Sequence, residues 1–374
     1  MPRLTNIYRL GIKELWSLIR DPMLLVLIVY SFTISIYTAA TAAPETLHKV
    51  PIAIVDEDDS TLSRRIGSAF LPPHFLPAAT ITLPEMDPGM DSGIYTFVIN
   101  IPPDFQADVI AGRRPAVQLN VDATRMSQAF TGSGSIQQII MAEVVEFVQG
   151  YRGMAAPPVT VEQRMRFNPT LAPSWMTSVM EINSVITLLS VILTGAALIR
   201  EREHGTIEHL LVMPVTPAEI MLSKVWSMAL VVLLASAFSI TFVVQGWLRI
   251  PVAGSVGLFL LVAGLHLFST TSLGIFLATL ARSMPQFGLL MVLIIMPLQT
   301  LSGGTTPMEN MPKLIQNIMF FAPTTHFVAA SQSILYRAAG LEVIWKDMVA
   351  IIAIGLVFYS ISLARFRKTL SRMA

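Results

Sequence analysis

The stretch Glu201-Arg202-Glu203-His204-Gly205-Thr206-Ile207-Glu208-His209-Leu210-Leu211-Val212-Met213-Pro214, continuing through Val215-Thr216-Pro217-Ala218-Glu219-Ile220, decides how this chain is read. It is a charged island between two long uncharged runs, residues 182–199 and 225–248. Gly205 is free to turn the chain, and Ile207, Leu210 and Leu211 fall on one side of a short helix. Thr216-Pro217-Ala218-Glu219 is a capping box with proline at the first helical position, so a new helix starts there and rises through Lys224. A short rigid helix held along a membrane between two spans is a lever that a partner can push.

Working outward, four further runs lack Asp, Glu, Lys and Arg: 23–43, 250–281, 283–307 and 348–364. Crossing a hydrocarbon layer of about 30 Å takes roughly 18 to 25 apolar residues, so six spans are expected. The first run exceeds the roughly 7 to 15 residues of a signal-peptide core and is expected to stay as an anchor. A seventh uncharged run, 314–336, is broken by Ala322-Pro323-Thr324-Thr325-His326. Charge decides against it as a crossing. With six spans and the N-terminus inside, the inner ends carry Arg3, Arg9, Lys13 and Arg20, then Arg200, Arg202 and Lys224, then Arg282, then Arg365, Arg367, Lys368 and Arg372. The outer loops carry only Arg249, Lys313, Arg337 and Lys346. A seventh crossing would put the basic tail outside, so 314–336 reads as two half-helices dipping from the outer face. Both termini are then cytoplasmic.

Composition agrees. Of 374 residues, 53% are hydrophobic and 13% charged, against about 25% charged in soluble domains, and the mean hydropathy is +0.63. An ordinary soluble enzyme, a disordered chain and a fibrous one are excluded. A net charge of +1 supplies no basic field for nucleic acid. With no cysteine, disulfides, thiolate metal sites and a cysteine nucleophile are excluded as well.

The expected architecture is a membrane all-α bundle of six spans with an amphipathic N-terminal elbow helix, plus an inserted α/β (α+β) extracytoplasmic domain. Its segments are the interfacial helix 1–22, spans at 23–43, 176–199, 223–248, 255–281, 284–303 and 347–364, the inserted domain 44–175, the elbow 200–222, an outer loop 304–346 with the half-helices, and a tail 365–374. In the leader, Leu4, Ile7, Tyr8, Ile12, Leu15, Trp16 and Ile19 recur at helical spacing opposite Arg3, Arg9, Lys13 and Arg20. This pattern fits a plain lead-in to the membrane or a dedicated docking helix. Asp21-Pro22 caps and starts the first span. The insertion reads as strands at 50–55, 80–83, 95–101 and 116–121 and helices at 60–70, 103–111 and 126–150. Asp56-Glu57-Asp58-Asp59 offers oxygen ligands for a hard cation, or else is a strand-to-helix turn in which Asp59 or Ser60 caps the next helix; the turn is the reading adopted, and no metal is assigned.

Catalytic chemistry is missing. There is no Gly-x-x-x-x-Gly-Lys-Ser/Thr phosphate loop, and no His-Glu-x-x-His or Gly-x-Ser-x-Gly pattern; His204 and His209 lie five apart, off the spacing that would converge on one metal. The chain is expected to be no enzyme and to hold no cofactor. Glu181 and Asn183 either face a translocation path or mark the outer interface. His266, in mid-span, reads as a neutral histidine bonded to a neighbouring helix.

The elbow resembles the first cytoplasmic loop of the transmembrane subunits of ABC-2 type exporters, acidic-x-x-x-Gly-Thr-x-Glu-x-Leu-x-x-x-Pro. Glu201, Gly205, Thr206, Glu208, Leu210, Leu211, Pro214, Glu219 and Lys224 match it, with Ile207 inside the block, and Ser223 stands where the family often has glycine. A second block, Leu301-Ser302-Gly303-Gly304-Thr305-Thr306-Pro307-Met308-Glu309-Asn310-Met311-Pro312, continuing to Pro323 and Phe327, resembles the family's outer re-entrant hairpin. The inserted domain is similar to that of the branch with a large periplasmic insertion, through Val55-Asp56, Ser63-Arg64, Ile101-Pro102-Pro103-Asp104-Phe105, Gly112 and Asp122.

The resemblance implies a half-transporter in the lipid bilayer of a bacterial inner membrane. It pairs with a copy of itself or a sister permease and is driven through the coupling elbow by a separate ATPase subunit that binds ATP and Mg. It also implies a periplasmic adaptor and an outer-membrane channel as partners, and an amphiphilic or drug-like substrate moved outward. Two other classes stand beside it, a membrane sensor with a ligand-binding outer domain and a proton-coupled secondary transporter. The first lacks a cytoplasmic signalling domain, and the second lacks internal repeats and intramembrane carboxylates.

Overall fold

The computed structural model of the protein describes residues 4–42, 49–122, 126–149, 173–203, 205, 214–304, 306 and 308–370. The chain divides into two compact units, one formed by Met1–Ala43 with Met165–Ala374 and the other by Pro44–Arg164.

In the first unit, caps set where helices begin. Helix α1 (Leu4–Ile19) ends just before Asp21, whose carboxylate accepts from the backbone N–H of Met23 and Leu24 at 3.1 and 3.2 Å and so starts α2 (Pro22–Ala42). The apolar stripe of α1 faces outward, as an interfacial helix requires, and a different face packs on the protein. Leu4, Tyr8, Trp16 and Ile19 are exposed, while Gly11, Glu14 and Leu18 are buried. The reason is Gly11: a Cβ there would lie 2.1 Å from the Trp226 ring, so only glycine lets the indole rest on the helix backbone. Trp226 Nε1 donates to the Ile7 carbonyl at 3.2 Å. The large apolar side chains are left outward, the arrangement of a helix lying in a membrane interface.

The other helices are α7 (Pro173–Glu203), α8 (Pro217–Trp247), α9 (Val256–Leu280), α10 (Met284–Thr300), α11 (Lys313–Met319), α12 (Pro323–Arg337) and α13 (Leu341–Leu370); α3 to α6 belong to the second unit. Among the described residues five helices, α2, α7, α8, α9 and α13, are long and apolar enough to span a membrane. The fifth expected span, 284–303, is the apolar helix α10 of 17 residues, about 25 Å long. It ends at Thr300, ahead of Gly303 at φ +90°. The last span, expected at 347–364, belongs to a 30-residue helix that begins at Leu341, because the charges of Glu342, Lys346 and Asp347 bound the apolar run without breaking the helix. The 314–336 run is two helices of 7 and 15 residues separated at 320–322, each too short to cross. The core runs along α7 and α9, where Ile182, Ile186, Leu189, Phe259, Val262 and Leu267 are fully buried. At Gly274 of α9 an added Cβ would meet the Val191 carbonyl oxygen of α7 at 2.9 Å, the close backbone approach that small residues permit between membrane helices.

The second unit is a mixed α/β layer structure. Strands β1 (Ile52–Asp56), β2 (Ala79–Ile81), β3 (Phe97–Ile101) and β4 (Gln118–Val121) form one sheet in the order β2-β1-β3-β4, with β1 parallel to β2 and β3, and β4 antiparallel to β3. Both faces are covered, so the central strands are apolar on alternate residues of both sides. Ile52, Ile54, Phe97 and Ile99 pack with Leu62 and Ile66 of α3 (Thr61–Ser68), and Ala53, Val55 and Val98 pack with Met86 and Met90 of α4 (Leu83–Asp91). Helices α5 (Phe105–Ile110) and α6 (Met126–Gln149) add Phe105 and Ile136 to the first face. Residues 80–83, expected as one strand, split between β2 and the start of α4. Pro84, Pro88 and Gly89 hide that helix, although Thr82 and Glu85 form its capping box. The acidic segment is a turn. Asp56 accepts from the backbone N–H of Asp58 and Asp59 and from the Ser63 hydroxyl at 2.7 Å, and Ser60 caps α3.

Candidate functional site

The elbow is anchored at both ends by capping and charge. Thr216 caps α8, its hydroxyl accepting from Glu219 N at 3.3 Å, while the Glu219 carboxylate accepts from Thr216 N at 2.6 Å. Glu219 is 2% exposed and also accepts from Asn6 Nδ2 of α1 at 3.3 Å. One turn further, Lys224 is 1% exposed, with Nζ 2.9 Å from Glu14 of α1 and 2.7 Å from Glu201 of α7. Lys13, half exposed, reaches Glu201 at 3.0 Å. Burial holds the Glu14 carboxyl above its ordinary value against the pull of Lys224, and the charge of Glu201 adds to the rise.

The last turn of α7 is a hub. Arg200 pairs with Asp21 at the head of α2. Glu201 binds α1 and α8. Arg202 donates to the carbonyls of Ala278 and Ala281 at 3.3 and 2.7 Å, satisfying the end of α9. Glu203 accepts from Met284 N at 3.0 Å, at the start of α10. Four consecutive residues thus tie the end of α7 to α1, α2, α8, α9 and α10. Sequence reading found Glu201 and Lys224 but missed Glu14. It is the one acid of the first twenty residues, three after Gly11 and four before Leu18, at helical spacing on the buried face.

Of the remaining expected coupling residues, Gly205 is exposed at φ +69° and Pro214 is exposed. Thr206, Ile207, Glu208, Leu210 and Leu211 lie outside the described residues, as do His204, His209 and, in the hairpin block, Pro307. In that block Gly303 turns the chain at φ +90°, and a Cβ on Gly304 would lie 2.8 Å from Met180 Sδ. Pro312 precedes α11, Met311 is buried, and Pro323 opens α12. His326 of α12 contacts Asp347 of α13 through Nδ1 and the Phe320 carbonyl through Nε2, both at 2.9 Å.

Glu181, half-buried, accepts from the Ser35 hydroxyl of α2 at 2.6 Å, and Asn183, 2% exposed, donates to Ser331 of α12 at 2.6 Å. His266 is fully buried, bonded through Nε2 to Thr187 of α7 at 2.9 Å and stacked on Phe327, the interhelical bond expected of it.

Several long apolar helices tied together by buried charge at the end of α7 are the mark of a multi-pass membrane protein. Residues 15–364 match the family described as ABC-2 family transporter protein, and the chain belongs to that family. Over 374 residues, all of both chains, it is 58% identical to the "Inner membrane transport permease YhhJ" of Escherichia coli (strain K12). It is 28% identical over 363 residues, 95% of this chain and 96% of the relative, to the "Probable multidrug ABC transporter permease YbhR" of the same strain. Identity to the strain's "Probable multidrug ABC transporter permease YbhS" is 23% over 376 residues, 96% of each chain.

Proposed function

We propose that this permease is the transport subunit of an ATP-driven exporter in a bacterial inner membrane, moving an amphiphilic or drug-like substrate outward. A separate ATPase subunit, which binds the ATP and Mg, pushes on the elbow 200–222. Both termini lie in the cytoplasm, and the inserted domain lies in the periplasm, where an adaptor and an outer-membrane channel join it. Two permease subunits, identical or sisters, face each other across the path.

The observation that carries this reading is the hub at Arg200–Glu203. Because Glu201, Lys224 and Glu14 are buried, pulling them apart exposes or strands charge, so a push on the elbow displaces α1, α7 and α8 together. The names of the two multidrug relatives support the substrate class.

The test is purification of the tagged chain in mild detergent with identification of stoichiometric companions by mass spectrometry. A nucleotide-binding ATPase should come with it and be lost when Glu208 and Leu211 are replaced. Recovery of the chain alone after crosslinking refutes the motor. Because the natural chain has no cysteine, single cysteines placed in the inserted domain and at each terminus report sidedness directly with an impermeant thiol reagent.

A further inference from the structure

Residues 320–322 turn the chain between α11 and α12, and the turn carries two exposed rings, Phe320 and Phe321, set edge to face at 5.7 Å. Phe320 stands at the end of α11, so its carbonyl is one of those a helix leaves without an internal partner. His326, in the first turn of α12 and 9% exposed, reaches it, with Nε2 2.9 Å from the Phe320 oxygen. The other ring nitrogen, Nδ1, is 2.9 Å from Asp347 Oδ1 on α13.

Both partners are hydrogen-bond acceptors. A neutral imidazole has one N–H and one bare nitrogen, so it donates to only one of them and turns a lone pair on the other. The ring donates to both as imidazolium, and Asp347 is the carboxylate that pairs with that charge. The hydrogen bond to Asp347 holds the imidazole above its ordinary value against burial, and the Phe320 carbonyl adds to the rise. Among the described residues no other charge reaches the ring. On α13, Lys346 lies 5.9 Å from the Trp345 ring, and Glu342 is more than a turn before Asp347. From α9 comes His266, stacked on Phe327 and bonded to Thr187, and from α7 Glu181, bonded to Ser35. Lys313 opens α11, while Tyr336 and Arg337 close α12.

We propose that His326 and Asp347 form a proton-operated latch, in which the doubly protonated ring clamps the 320–322 turn to the head of α13 and loss of one proton releases the turn. The contact released is the one to Phe320, because the neutral ring keeps its proton on Nδ1, where the acceptor is charged. The folded ring holds its second proton more tightly than the unfolded chain does. The latch is therefore complete below the ordinary histidine value of 6.5 and is lost as the pH rises through the raised folded value. The pH that matters is that of the side the hairpin faces, the outer side under the proposed function.

The experiment uses the full chain in lipid nanodiscs, with no ATPase present. Ring nitrogens labelled with 15N report each protonation state by solid-state NMR, and His326→Gln assigns the signal by deleting one of six histidines. The midpoint for His326 is expected above 6.5, with the proton leaving Nε2. Because the natural chain has no cysteine, a nitroxide on Phe321→Cys reads the turn by EPR, and its motion should increase with the same midpoint. Asp347→Asn should weaken the ring's hold on its proton about tenfold or more and move both midpoints down together. With His326→Gln the nitroxide should not respond to pH. If that variant does not fold, the shift caused by Asp347→Asn assigns the signal instead. A midpoint at or below 6.5 overturns the imidazolium clamp. A turn whose motion does not follow the ring's titration overturns the latch.

Discussion

Lys224→Met is the sharpest probe of the hub, because it removes the cation that two buried carboxylates share. In the native structure Nζ is within 3 Å of both Glu14 and Glu201, and their side chains are only 8% and 11% exposed. Removing one partner of a buried ion pair typically costs about 3–5 kcal/mol, since the remaining charge is stranded. Two features pull the figure toward the lower end. Lys13 remains on Glu201, and Glu14, already held above its ordinary value, can take up a proton in place of the lost partner. A loss of about 3 kcal/mol lowers the unfolding midpoint by roughly 6–10 °C for a unit of this size. Thermal unfolding followed by intrinsic fluorescence in one detergent at neutral pH reads it. The combined variant Glu14→Gln, Glu201→Gln, Lys224→Met, which removes all three buried charges of this cluster, should recover most of the loss. A midpoint within about 1 °C of the wild type for the single change, or no recovery in the triple, refutes the claim that these charges form one buried network.

Gly11→Val should detach α1, because its side chain would occupy the space of the Trp226 ring; increased tryptic cleavage at Arg9 and Lys13 is the measurement. Thr216→Ala removes the cap of α8 and should cost about 1 kcal/mol, read as faster amide exchange at Glu219 and Ile220. The raised Glu14 value means that the folded protein holds this proton more tightly than the unfolded chain does. Its contribution to stability is therefore complete below the ordinary carboxylate pKa of 4.5 and is lost as the pH rises through the raised folded value, and Glu14→Gln should flatten that part of a stability–pH profile. Gly205→Ala should strain the turn at φ +69° by about 1 kcal/mol, lowering the midpoint by roughly 2–3 °C, and, under the proposed coupling role, weaken the link between ATP hydrolysis and transport.

The membrane helices were legible because hydrophobic run length is a one-dimensional signal: charges at Arg20, Arg200, Lys224 and Arg282 bound the runs, and caps at Asp21 and Thr216 fix the starts. The same signal misjudged α13, since Glu342, Lys346 and Asp347 end an apolar run without ending a helix. It placed α1 as an interfacial helix but gave no account of its contact with α8. Periodicity ranks residues by apolarity, whereas that contact is chosen by thinness at Gly11 and by the charge at Glu14. In the second unit the strands were read within a few residues, but α4 was lost behind two prolines and a glycine.

The placing of Glu14 bears on how a push could travel. Had α1 packed through its leucines and tryptophan, it would slide on α8 with little resistance, since apolar contacts are not directional. Instead the contact is made by an indole on a bare helix backbone, an indole N–H to the Ile7 carbonyl, and a carboxylate on a buried ammonium. Each of these has a fixed geometry, and each is costly to break without a replacement partner. The end of α7, the start of α8 and α1 are therefore held in register by directional contacts. Along the rest of α7, apolar packing and the close approach of Val191 to Gly274 alternate with single interhelical hydrogen bonds, of Glu181 with Ser35, Asn183 with Ser331 and Thr187 with His266. Under the proposed function, a push at this end would be borne first by several buried charges held together, while the single hydrogen bonds further along α7 can exchange partners one at a time.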